Sequence, residues 1–144
     1  DLPMIRHAFQ LRMALEREAV LNAVRRMPDS VLDEQRALHL SILEEVKRRP
    51  ASELFEAGQK IDDGFHALLI KATQNDLLIQ VYAVNAIRMR LIKLDKISLS
   101  EWVLPSAFAD HLAVIEAIQS RNPHAAADAM DRHIMNARER AIEF

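Results

Sequence analysis

Prolines divide this chain into helix-length segments, and this division constrains its fold more than any other feature. The 144 residues include only two glycines and five prolines. Between the prolines, apolar residues recur at spacings of three and four, as on one face of a helix. No stretch of useful length alternates with period two, which would indicate a β-strand. We therefore predict an all-α fold.

Breakers and capping residues mark out six helices. Asn122-Pro123 combines a preferred N-cap residue with proline at the first helical position. The predicted helices cover about 3–26, 29–49, 53–73 and 75–96, a fifth region that opens at Ser98 and Ser100 with Pro105 near a helix start or kink, and 123 to the C-terminus. This length suits one domain with one core, so we expect residues 1–144 to form a single antiparallel bundle.

Composition narrows the possible functions. The formal net charge is −2 and the pI about 6.3, so no strongly basic surface for nucleic acid is indicated. There is no cysteine, which leaves out a disulfide framework or a thiolate site and fits a reducing compartment. No apolar run approaches the ~18–20 residues needed to span a bilayer, and no signal peptide is visible. We expect a cytoplasmic protein without membrane association.

Four polar residues fall within or beside the apolar stripes of three predicted helices. Asp62 and His66 stand four apart and share a helix face, while His111 and His133 each lie within a later stripe. Any one of these histidines alone is more often a hydrogen-bonded core residue than a ligand. Together they predict a site for a divalent transition metal, which zinc, nickel, manganese or iron could occupy. An octahedral metal would keep positions open for the donors of a small carboxylate.

Three further residues are candidates for an effector site. Arg12 lies in the apolar stripe of the first helix, where it either forms an ion pair with Glu16 or holds an anion in a cavity. Asn85 and Arg88 lie among apolar residues of the fourth helix. Such residues are mostly surface or interhelical hydrogen-bonding groups, and the alternative is that they line the same cavity. Gly64, in the turn of the metal ligands, either permits a close neighbour or weakens the helix.

Several motifs together resemble one family. They are D-x-x-F-H at 62–66 with N-x-x-L at 75–78, D-H-x-x-V-x-x-A-I at 110–118, a run from Ala125 ending M-x-x-H-I at 130–134, and R-x-x-L-E at 12–16. This pattern resembles the FadR C-terminal domain, the effector-binding half of one branch of GntR-type bacterial transcription regulators. Asp110 stands where that family commonly has glutamate, at a position that is not a ligand.

The resemblance implies an antiparallel bundle of six or seven helices that senses a ligand and is not an enzyme. It implies a metal, often zinc or nickel, at the four matching residues, and a cavity for a small organic acid with Arg12 as carboxylate partner. It also implies a homodimer, and DNA binding only through a winged helix-turn-helix that we expect to precede Asp1. Two alternatives remain: a metal-dependent hydrolase-like enzyme with Glu16 as a base, and a metal-free helical dimerisation module.

Overall fold

The computed structural model describes residues 2–96 and 103–143, and within these ranges all regular secondary structure is α-helical. Six helices follow one another as α1 (Leu2–Arg26), α2 (Asp29–Glu45), α3 (Ala51–Ala72), α4 (Asp76–Lys96), α5 (Val103–Gln119) and α6 (Pro123–Glu143). This confirms the predicted all-α bundle with six helices in the described part of the chain. Ser98 and Ser100, expected to open the fifth helix, lie outside the described residues.

Successive helices alternate in direction, and α1 packs against α3, α4, α5 and α6. The side-chain amide of Asn85 in α4 donates to the carbonyl oxygen of Ala8 at 2.9 Å, near the start of α1. Asn22, near the end of α1, donates to the carbonyl oxygen of Ala72 at the end of α3 at 3.1 Å. Glu16, earlier in α1, contacts His66, earlier in α3, so these two helices run parallel. Arg12, one turn after Ala8, contacts Tyr82, about one turn before Asn85, so α1 and α4 run antiparallel, as expected of an up-and-down bundle.

α2 ends earlier than the sequence pattern predicts. The helix stops at Glu45 instead of Arg49, and the next residues form tighter turns in which Lys47 donates to the carbonyl oxygen of Glu44 at 3.2 Å. Pro50 explains the difference, because proline disfavours the α conformation in the residue before it. The chain leaves the helix within the turn ahead of the proline and re-enters helical geometry at Ala51.

The core lies between α1, α3, α5 and α6. It is built from fully buried apolar side chains, among them Phe65, Phe108, Ile115, Met130 and Ile134. None of the helices described combines the length and apolar character needed to cross a bilayer. The polar residues predicted to act as ligands lie within this apolar core, so their side chains must satisfy one another or hold something between them.

Candidate metal centre

Asp62, His66, His111 and His133 meet at one point between α3, α5 and α6. Each offers one donor atom, and these four atoms all lie within 4.8 Å of one another. The three histidines are buried, while Asp62 is partly exposed. One turn of α3 supplies the first two residues, as their spacing requires, and the antiparallel pair α5 and α6 supplies the others. The structure thus brings together all four of the predicted ligands.

The three imidazoles present the same nitrogen to this point. His66 Nε2 and His111 Nε2 are 3.2 Å apart, His111 Nε2 and His133 Nε2 3.1 Å, and His133 Nε2 and His66 Nε2 3.3 Å. Asp62 Oδ1 lies 3.4 Å from His66 Nε2 and 3.2 Å from His111 Nε2. Nitrogens bound to one metal at about 2.1 Å lie about 3.0 Å apart at right angles and about 3.4 Å apart in a tetrahedron. The donor spacing therefore fits a single transition metal.

Two of the histidines hydrogen-bond to carboxylates through the opposite ring nitrogen. His66 Nδ1 contacts Glu16 Oε1, and His133 Nδ1 lies 3.1 Å from Asp110 Oδ2. Burial acts to raise the pKa of Glu16, but His66 and then Arg12 outweigh it and bring the pKa to about 2, so Glu16 is a carboxylate. A carboxylate only accepts, so each Nδ1 carries the proton and each Nε2 keeps its lone pair for a ligand.

His111 reaches the same tautomer through a second histidine. His39, fully buried in α2, places its Nε2 2.8 Å from His111 Nδ1 and its Nδ1 2.7 Å from the carbonyl oxygen of Gln35. That carbonyl only accepts, so His39 Nδ1 carries a proton, and burial lowers the pKa of His39, which favours the neutral ring. His39 Nε2 must then accept from His111 Nδ1, which leaves His111 Nε2 unprotonated.

Three nitrogen lone pairs therefore point at one small volume inside the core. Burial, above all, lowers the pKa of His111 to about 3, and it also lowers the pKa of His133, so both rings stay neutral at ordinary pH. Burial opposes the charged form of His66 as well, but Glu16 raises the pKa of that ring. Lone pairs crowded in this way repel one another unless a cation lies between them. The chemistry of the donor set thus fits a bound divalent metal.

Arg12 forms the ion pair considered for it and also lines a cavity. Its Nε donates to Glu16 Oε2 at 2.5 Å, which is the ion pair expected within α1. Its Nη2 lies 3.3 Å from His66 Nε2, and the side chain lines a cavity. Burial acts to lower the pKa of Arg12, but Glu16 and other neighbours raise it, so the guanidinium stays charged. The planar guanidinium of Arg12 thus lies beside the candidate metal ligands at the edge of the cavity.

The cavity lies between α3 and α4 and has a volume of about 600 Å³. Its wall is largely apolar, with Phe55, Ile70 and Ile79 among its residues. The polar side chains in the wall are those of Arg12, Gln59, Asp62, Asp63, His66, Lys71, Tyr82, Asn85 and Arg90. A concave space whose wall surface is mostly apolar and whose polar groups converge on it is typical of a small-molecule site. It reaches the candidate metal centre through Asp62 and His66.

The two effector candidates on α4 occupy different places. Asn85 is buried, lines the cavity and is held by its hydrogen bond to Ala8. Arg88 is exposed and is not among the cavity residues. Three residues along a helix turn a side chain by about 300°, which equals a turn of about 60° in the opposite sense and moves Arg88 from the edge of the cavity side onto the exposed side of α4. Arg90 lines the cavity instead, a position that sequence reasoning missed because the rotational phase of α4 was not fixed.

Sequence reasoning also missed His39. The sequence does contain a signal for it, since His39 lies seven residues after Leu32 and three before Ile42, the other buried residues of α2.

Gly64 has open space around the position of an added Cβ, so the structure gives no close neighbour that would require glycine. Gly58 does have one: a Cβ there would lie 2.5 Å from Leu104 Cδ1.

Comparison with known proteins gives consistent results for family and fold. A sequence model of the FCD domain matches residues 7–136. Two similar solved structures are the metal-free and the Zn²⁺-bound FCD domain of TM0439, a candidate transcriptional regulator. Each is 23% identical to this chain, and each match covers 99% of this chain and 94% of the solved chain. The TM-score of each superposition is 0.68. No curated protein matches the chain.

Proposed function

The chain belongs to the FCD domain family, and on that premise we propose that it is the ligand-sensing regulatory domain of a GntR/FadR-type bacterial transcription regulator. In this proposal residues 1–144 bind a divalent metal and a small organic acid, form a homodimer, and modulate DNA binding by an attached winged helix-turn-helix domain. The single observation that carries it is the convergence of three Nε2 atoms and a carboxylate oxygen beside a cavity that also contains Arg12.

The proposed metal ligands are Asp62, His66, His111 and His133. A divalent metal held by them would supply a Lewis-acid centre for a carboxylate, and the Zn²⁺-bound state of the similar FCD domain makes zinc the first candidate, with nickel, manganese and iron as alternatives. Glu16, His39 and Asp110 would keep the three imidazoles in the tautomer that binds a metal. All three partners are fixed by the fold, so the site is preorganised.

The proposed effector is a small carboxylate in the cavity between α3 and α4. Arg12 Nη2 lies 3.3 Å from His66 Nε2, the nitrogen whose lone pair a bound metal would occupy. The Nη2 hydrogens of Arg12 would then be available to an anion, while its Nε stays with Glu16. Asn85 lines the same space, and burial raises the pKa of Tyr82, so that its hydroxyl remains a hydrogen-bond donor. Arg88 lies outside this space and is left out of the proposed effector site.

The proposed output is a change in how two copies hold their DNA-binding domains. An effector shifts such an equilibrium only by binding one arrangement more tightly than the other. We place this activity in the cytoplasm, where a bacterial regulator meets its DNA.

The hydrolase alternative needs a base that faces the cavity, and Glu16 does not fit this role. Glu16 is fully buried, is held by Arg12 and His66, and is weakly basic because its pKa is about 2.

Elemental analysis of the purified chain tests the metal site. We expect about one transition-metal ion per chain in the parent, and little in Asp62→Asn or His133→Ala. Matched controls are Asp63→Asn, which changes the exposed neighbour in α3, and His124→Ala, which changes an exposed histidine of α6. Both controls should retain the parent's metal. A parent that stays empty after reloading with zinc or nickel would refute the metal-anchored proposal and favour the metal-free dimerisation module.

Effector binding is tested with the metal-loaded chain and a panel of mono-, di- and hydroxycarboxylates, by calorimetry and thermal shift. The proposal expects binding of at least one acid that weakens on chelation. Turnover of esters or phosphates by the pure loaded chain, lost on chelation, would instead support the enzyme alternative.

A further inference from the structure

An apolar stripe runs along the outer face of α4, away from the core. Its side chains are Leu77, Val81, Val84, Ile87 and Leu91, whose exposed fractions range from 44% to 75%. Leu77, Val81, Val84 and Leu91 repeat at spacings of four, three and seven, so they lie on one helix face about 21 Å long. α4 is thus apolar both where it packs on α1 and where it faces outward. A contiguous apolar face of this kind marks an interaction surface.

The stripe is symmetric about Val84. Val81 and Ile87 stand three residues to either side of it, and Leu77 and Leu91 stand seven to either side. Read in the opposite direction, the helix therefore presents apolar side chains at the same positions. A two-fold axis requires a surface that is complementary to itself, since both copies contribute the same patch. A stripe with this symmetry meets that condition for two antiparallel α4 helices.

The polar residues of the face follow the same symmetry. Gln80 and Arg88 stand four residues to either side of Val84, and both are exposed. In an antiparallel pair, Arg88 of one copy comes to the level of Gln80 of the other, where a guanidinium meets an amide oxygen instead of a second positive charge. Like charges at the same level would have opposed the pairing. The face thus shows polar as well as apolar complementarity to itself.

From this symmetry we infer that a second copy of this chain covers the outer face of α4, with the two helices antiparallel and Val84 at the two-fold axis. This inference rests on the homodimer of the proposed function and specifies its interface. Ile87 also lines the cavity between α3 and α4. The wall of the effector cavity is therefore part of the element that holds the two copies together, which gives an occupant of the cavity a direct route to the interface.

Sedimentation equilibrium of the zinc-loaded chain tests the inference, with Val84→Glu as the variant. We expect a dimeric parent, and a dissociation constant raised at least about 100-fold in Val84→Glu, because two carboxylates would replace two apolar side chains at the axis and would be brought together away from water. The matched control is Leu40→Glu, which alters a leucine on α2 with 47% exposure, similar to the 52% of Val84. The control should remain dimeric, and circular dichroism should show all three proteins helical.

A cysteine cross-link provides a second readout that does not depend on weakening the fold. The chain has no cysteine of its own, so a disulfide in Val84→Cys can form only between copies. Residues at a two-fold axis approach within the distance that a disulfide spans, about 4.4–6.8 Å between Cα atoms. We expect efficient oxidation to a covalent dimer in Val84→Cys and not in Leu40→Cys.

The outcomes separate this inference from the proposed function. The α4 interface would be overturned if the parent is dimeric, Val84→Glu has an unchanged dissociation constant and Val84→Cys forms no cross-link. The proposed homodimer would still hold in that case. A parent that is monomeric throughout would overturn both and assign the stripe to a different partner, such as an attached domain. Metal content and carboxylate binding are measured independently, so neither oligomerisation result changes the test of the metal site or of the effector site.

Discussion

His39 Nε2 lies 2.8 Å from His111 Nδ1. His39 of α2 is not a candidate ligand, but through this contact it orients His111, which is one. His39 is in turn held by the carbonyl oxygen of Gln35 and packs edge-on against Phe65, with ring centroids 5.2 Å apart. The position of α2 is therefore coupled to the candidate metal centre. A shift of α2 against α5 would change the orientation of His111.

Replacing His39 with leucine should weaken metal binding by about 10–100-fold, the usual effect of removing a partner of a metal-bound histidine. The substitution leaves the Nδ1 proton of His111 without an acceptor. His39→Gln retains a hydrogen-bond acceptor and should recover part of the affinity. Competition with a zinc chelator measures all three proteins, with His7→Leu on exposed surface as the control. Equal affinities for the leucine variant and the parent would show that His39 only fills space.

Metal affinity should fall with decreasing pH, and Glu16 should set where the fall begins. A histidine binds metal as the neutral ring, and Glu16 raises the pKa of the His66 ring against the effect of burial. A raised pKa means that protons compete at higher pH, so affinity is retained above this pKa and lost as the pH falls through it. Glu16→Gln removes the carboxylate, lowers the pKa of His66 and should move the loss to lower pH.

The measurement is the zinc dissociation constant between about pH 5 and pH 8, a range that includes the ordinary histidine pKa. Glu18→Gln changes an exposed glutamate on the same helix and is the matched control. Glu16→Gln should also bind more weakly at pH 8, since an amide orients the imidazole less well than a carboxylate. An unchanged midpoint in Glu16→Gln would mean that a different group governs the competition with protons.

The buried pair of Arg12 and Glu16 should be strongly coupled in stability. Arg12→Met leaves Glu16 fully buried without its cation and should lower the free energy of unfolding by about 3–5 kcal/mol. Arg12→Met with Glu16→Gln removes both charges and should lose less than Arg12→Met alone. Urea denaturation of the metal-free proteins gives these values in a double-mutant cycle. Additive losses would indicate that the pair contributes little.

The two glycines of α3 should respond differently to substitution with alanine. Gly64 is exposed with open space at its Cβ position, so Gly64→Ala should stabilise the helix by up to about 1 kcal/mol. Gly58 is buried, and a Cβ there would meet Leu104 at 2.5 Å, so Gly58→Ala should gain less or destabilise. Thermal unfolding of both variants checks this, and equal stabilisation would show that the Leu104 side chain moves aside without cost.

The fold was largely predictable from the sequence, because proline and asparagine mark the helix ends and their effects are local. The candidate ligands were predictable for a similar reason: Asp62 and His66 share a face through spacing alone, and the family motifs supply the other two. Contacts between helices were not predictable, because they depend on how each helix is rotated about its axis. This explains why His39 was missed and why Arg90 lines the cavity while Arg88 does not.

Arg12 and Arg88 offer a direct comparison of the two arginines considered for the effector. Arg12 lines the cavity beside the candidate ligands, and Arg88 lies on the outer face of α4. Arg12→Lys keeps a positive charge for Glu16 but loses the planar fork, so it should weaken carboxylate binding to the zinc-loaded chain by about tenfold or more. Arg88→Lys should bind the same acid within about twofold of the parent, a change of about 0.4 kcal/mol, because Arg88 lies outside the cavity and lysine keeps its charge. Calorimetry with an acid that the parent binds compares the three proteins at equal metal content. The reverse result, with Arg88→Lys impaired and Arg12→Lys normal, would place the acid outside the cavity and remove Arg12 from the proposed site.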